Sequence, residues 1–165
     1  MTLPRTFSPL AAITLLVAAA GVSAPVSAQT PSEYDARIES LMNHPAVRQA
    51  LESIEATDDQ TMADLQTLTQ IPAPPFMEEE RGLAFLEMMQ DLGVDSAWVD
   101  EVGNVIGLRR GTGSGEVLAI SGHLDTVFPP ETDVSITQRG DTLFAPGIAD
   151  DTRGLATVLA VLRAM

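Results

Sequence analysis

The stretch Val117-Leu118-Ala119-Ile120-Ser121-Gly122-His123-Leu124-Asp125-Thr126-Val127 decides how the fold is read. Its first four residues are an apolar run bounded by Gly115 and Gly122. That pattern predicts a short, fully buried strand over residues 117–121. His123 and Asp125 follow at the carboxyl end of this strand, where open α/β sheets build their sites. Residues two apart in extended backbone point to the same side, so the Asp125 carboxylate can orient the His123 imidazole. A polar loop that simply closes a strand would carry the same residues.

A second stretch repeats the arrangement. Leu143-Phe144-Ala145 leads into a turn at Pro146-Gly147, then Ile148-Ala149-Asp150-Asp151 opens an apolar helix. On its own, an aspartate pair at a helix start is ordinary N-capping. The combination says more. Both stretches follow a strand, and both hold a glycine where the strand must turn. Together they bring a neutral imidazole and a hard carboxylate from two loops, ligands that zinc accepts.

Working outward, helices are expected over residues 32–42, with Tyr34, Ile38 and Leu41 on one face, and from Asn43-His44-Pro45 onward through Val47, Leu51 and Ile54. A third helix, capped by Asp58 or Asp59, carries Met62, Leu65 and Leu68 to about Ile71. Pro72-Ala73-Pro74-Pro75 is largely extended, because residues before prolines avoid helical angles. Residues 78–92 form a fourth helix with the apolar stripe Leu83, Leu86 and Met89, widened by Phe85, Met88 and Leu92, and ended by Gly93. Strands are expected over 97–102 and 104–109 about a Gly103-Asn104 turn, and over 134–137 and 142–144 about Arg139-Gly140-Asp141. A last helix over 152–165 places Leu155, Val158, Leu159 and Leu162 at helical spacing. The fold class is therefore α/β, a mixed sheet flanked by helices. The last helix runs into Met165 with its apolar face needing cover, so the chain is expected to be the front part of something longer.

Residues 1–28 are set apart as a secretory signal peptide. Met1 to Arg5 is a short basic start, residues 10–22 are apolar, and Val26-Ser27-Ala28 is a small-residue cleavage signal before Gln29. The apolar core is well short of the ~20 residues that a span needs. The expected location is periplasmic or secreted, with no membrane contact after cleavage. The full sequence of 165 residues has no cysteine, so an oxidising compartment would bring no disulfide. Residues 29–165 hold all 23 acidic residues against eight arginines and no lysine, a formal charge of −15. That charge disfavours nucleic acid and anionic membrane surfaces as partners.

Other conspicuous residues have plain explanations. Glu78-Glu79-Glu80 complements a helix N-terminus, Met88-Met89 is core, and the glycines of 111–115 lack the lysine and following helix of a phosphate loop. His44 lies before a proline in the helical leader and is a structural or solvent-facing residue.

Ser121-Gly122-His123-Leu124-Asp125-Thr126-Val127-Phe128-Pro129 and Ala145-Pro146-Gly147-Ile148-Ala149-Asp150-Asp151-Thr152-Arg153-Gly154 resemble the two signature segments of the dinuclear zinc exopeptidases, the family of tripeptidase T, glutamate carboxypeptidase and aminoacylase. Leu-Thr-Gln-Ile-Pro-Ala-Pro-Pro at 68–75 and Glu-Val-Gly-Asn-Val-Ile-Gly at 101–107 are similar to the tripeptidase T branch. The resemblance covers residues 29–165 as the N-terminal part of a metallopeptidase catalytic domain. It implies His123 as ligand of one zinc, Asp125 as the supporting, catalytic acid, and Asp150 as the carboxylate bridging two zinc ions. Asp151 is not expected to be a ligand, and the 150–151 peptide bond is expected to be cis. The resemblance also implies a Glu-Glu pair supplying the general base, a further acidic ligand and a late histidine, none found within these residues. It implies a short-peptide substrate, with a homodimer open to the full-length protein. A related amidohydrolase of the deacetylase or aminoacylase type, and an inactive secreted fragment that binds a partner through its last helix, remain alternatives.

Overall fold

The computed structural model describes residues 31–113 and 115–165. Residues 1–28, read above as a signal peptide, lie outside them. The described chain is mostly helical, with two small sheets. Its elements are α1 (Pro31–Met42), α2 (Pro45–Ala56), α3 (Asp58–Thr69), α4 (Glu79–Asp91), β1 (Ser96–Val99), β2 (Val105–Leu108), β3 (Thr137–Arg139), β4 (Thr142–Phe144) and α5 (Arg153–Ala164). No helix among the described residues is long and apolar enough to cross a membrane.

The local signals act largely as read. His44 is extended and Pro45 opens α2, where its missing N–H costs nothing. Gly93 ends α4 at φ +69° and donates its N–H to Gln90 O. At α3 the expected aspartate cap is not made. Thr57 takes the N-cap position without a side-chain cap bond, and its hydroxyl donates to Ser53 O instead. Asp58 and Asp59 lie inside the first turn, where they complement the helix dipole.

The core is Leu68, Phe85, Met89, Leu155 and Leu159, with Leu124 packed against it. The last helix is covered, contrary to expectation: α5 packs on α2, α3 and α4 and buries Leu155, Ala156, Leu159 and Ala160. Arg163 reinforces this from α5 by a 2.6 Å ion pair with Asp64 of α3. The buried face of α4 is also rotated from the expected stripe. It presents Arg81, Gly82, Phe85 and Met89, while Leu83 is exposed. A glycine and an arginine do not register in an apolar pattern, yet Gly82 leaves the space that Leu124 and Val105 fill.

Among the described residues the expected mixed sheet is not formed. β1 pairs antiparallel with β2, and β3 with β4, as two separate two-stranded sheets. Residues 117–121, read as a short, fully buried strand, form no strand, and Val117 and Leu118 are largely exposed. A central strand must hand its N–H and C=O groups to neighbours on both sides. Among the described residues, no strand lies beside this run: the two sheets hold only β1 with β2 and β3 with β4.

Candidate functional site

Leu124 seats the first signature segment on the core, so His123 and Asp125 on either side of it turn toward solvent. The second segment leaves β4 and turns at Gly147, whose φ of +78° favours glycine. A Cβ there would meet Thr126 Cγ2 at 2.5 Å. Close approach of the two segments therefore needs this glycine. The turn Ile148–Thr152 then carries Asp150 and Asp151, both with non-helical backbone angles, into α5. The Asp150–Asp151 peptide bond is cis, as the resemblance implied.

These elements bring the three singled-out side chains together. His123 Nε2 faces Asp150 Oδ1 at 2.8 Å. His123 Nδ1 lies 3.0 Å from the Asp125 carbonyl and 3.1 Å from Asp125 Oδ1. The site is open: the His123 side chain is half-exposed and that of Asp150 is 84% exposed. Asp150 beside Nε2 raises the His123 pKa most. Partial burial opposes this, and Asp125 adds to the rise.

Asp151 has a different task. Its Oδ2 accepts the His123 backbone N–H at 3.1 Å, so it ties the two segments and does not point to the imidazole. Behind it, Thr152 is fully buried and its hydroxyl meets that of Thr69 at 2.8 Å. The end of α3 is thereby fastened to the Asp150 turn.

The donor set fits part of a metal's shell. With Nδ1 engaged by Asp125, Nε2 is the nitrogen left to ligate. Tetrahedral zinc with bonds of roughly 2.0–2.2 Å holds neighbouring donors about 3.3 Å apart. The 2.8 Å between His123 Nε2 and Asp150 Oδ1 is a hydrogen-bond spacing, so the two donors would have to part to admit the ion. Among the described residues no group of three or more His, Cys, Asp or Glu converges as a metal cluster. His44 is the N-cap residue of α2, outside this site.

Residues 119–165 match the family described as Peptidase family M20/M25/M40. Two curated relatives extend the likeness upstream. One, from Pyrococcus abyssi, is provisionally named a LysW-lysine/LysW-ornithine hydrolase. It is 35% identical over 106 residues, covering 64% of this chain and 30% of the relative. Another of the same name, from Thermococcus kodakarensis, is 44% identical over 63 residues, 38% of this chain and 17% of the relative. The chain thus spans less than a third of the length of these relatives.

Two contributors escaped the sequence. Asp151 was set aside as a non-ligand, and its clasp on His123 N has no sequence signature beyond the glycines around it. Arg81 is not singled out by the sequence pattern, yet it is fully buried and donates to Leu124 O at 2.7 Å. An arginine following Glu79-Glu80 reads as surface charge.

Proposed function

We propose that this chain supplies part of the metal centre of a zinc-dependent exopeptidase acting on short peptides. The observation that carries this is the facing pair His123 Nε2 and Asp150 Oδ1, with Asp125 holding Nδ1, inside a segment that matches a peptidase family. In this account His123 and Asp150 would hold the metal, and Asp125 would fix the tautomer and orientation of the imidazole. A bound zinc pair supplies a water of lowered pKa and polarises the scissile carbonyl. No general base is assigned among the described residues.

A second reading has its own support. The names of the two relatives specify LysW-lysine and LysW-ornithine. That favours an amidohydrolase acting on an amino-acid conjugate, in the manner of aminoacylase. Zinc-loaded full-length protein should be assayed on tripeptides and on N-acyl amino acids. Preference for tripeptides supports the exopeptidase, and preference for acyl amino acids supports the amidohydrolase. Turnover that survives both chelation and His123→Ala contradicts both. The 165-residue chain alone, with two ligands and no assigned base, should give turnover no higher than buffer. Export to a periplasmic or extracellular location and a homodimeric full-length enzyme are part of the same proposal.

A further inference from the structure

Asp125 is held from both sides by one piece of chain. On one side, Thr126 donates its N–H to Ala73 O at 2.7 Å, and its hydroxyl donates to the same oxygen at 3.3 Å. On the other side the link runs through a side chain. Arg81 Nη1 donates to Leu124 O at 2.7 Å, while Nε and Nη2 donate to Ile71 O at 3.1 and 2.6 Å. Both latches end on residues 71–73, the segment that leaves α3.

Stability alone gives little reason for an arginine here. Arg81 is fully buried, and burying a cation is costly. It also sits in the first turn of α4, where the helix dipole disfavours positive charge. Its three hydrogen bonds go to carbonyls of two different segments. Burial lowers its pKa, and the nearby Asp125 charge opposes that by favouring the guanidinium. A planar fork can span two carbonyls at fixed angles, which a lysine ammonium cannot.

We propose that Arg81 is a positioning residue for the site: by bridging Ile71 O to Leu124 O it fixes the backbone between His123 and Asp125, and so the aim of the imidazole. This rests on the reading of His123 and Asp125 as site residues. The leucine between them cannot shift without breaking a buried, charge-assisted bond.

The test uses the full chain and Arg81→Lys. In metal-free protein the His123 Nδ1 proton, held against Asp125, is followed by nitrogen–proton NMR. Arg81→Lys should speed its exchange with solvent by about 10-fold and weaken zinc binding by about 10-fold, the lower end of what losing a ligand-orienting partner costs. Phe85→Leu, chosen as a core variant that lowers the melting temperature, should change neither. From the other end, Asp125→Asn should shift the Arg81 Nε–H resonance. Wild-type exchange and zinc affinity in Arg81→Lys would overturn the proposal. So would an unmoved Arg81 resonance in Asp125→Asn, which decides the matter even if Arg81→Lys does not fold. Because the exchange measurements need no metal, failure of the wild type to bind zinc would sink the metal centre while leaving Arg81 to be judged separately.

Discussion

The Asp151 carboxylate accepts the backbone N–H of His123 at 3.1 Å, and the two glycines nearest to it, Gly122 and Gly154, leave no room for a side chain. A Cβ on Gly122 would lie 2.8 Å from Asp151 Oδ2, and one on Gly154 would collide with the same carboxylate. Two loops far apart in sequence are thus closed over a single acidic side chain.

This gives a prediction against the usual sign. Alanine for glycine inside a helix ordinarily stabilises by about 1 kcal/mol. Gly154→Ala should instead destabilise by about 1–3 kcal/mol, because overpacking against Asp151 outweighs propensity. In an Asp151→Ala background the same change should cost much less. Urea denaturation of the four proteins checks this. Additive effects would mean that Asp151 and Gly154 do not meet.

A second prediction concerns pH. The His123 pKa lies above its ordinary value, first through Asp150. A raised folded pKa means that the contribution of the charged pairs is fully present below the unfolded value, roughly 6.5, and is lost as pH rises through the folded value. NMR titration of His123 should show the elevation, and Asp150→Ala should reduce it. Since zinc must displace the proton, zinc affinity should rise over the same window. A His123 pKa at or below the ordinary value contradicts this geometry.

Much of this site was legible in the sequence because its residues fall in compact motifs. His123, Asp125 and the Asp150-Asp151 pair could be singled out from loop position and chemistry, and the family resemblance selects Asp150 over Asp151. The structure brings His123, Asp125 and Asp150 within hydrogen-bonding distance. The helices were legible from punctuation such as Pro45 and Gly93. What escaped depends on partners distant in sequence. Residues 117–121 are apolar enough for a buried strand, but a strand is made by its neighbours. The face of α4 turns on Gly82 and Arg81, which a hydrophobic pattern ignores. Arg81 reaches Leu124 across 43 positions, and no local signal marks that contact.

The leader makes a third prediction. A basic start, an apolar core and the Ala28 boundary predict removal of residues 1–28. Intact-mass analysis of exported protein should find Gln29 first. A mature protein beginning at Met1 would contradict export through a cleaved signal.

The most direct test of the metal centre is a calorimetric zinc titration at raised ionic strength, which screens the diffuse attraction of the acidic surface. It should compare wild type, His123→Ala and Asp150→Ala. A structural zinc usually has about four protein ligands and a catalytic one about three. Two facing donors, His123 Nε2 and Asp150 Oδ1, therefore predict weak binding. They also predict that either substitution abolishes it. Identical zinc binding by all three proteins would contradict the assignment of these residues to a metal centre.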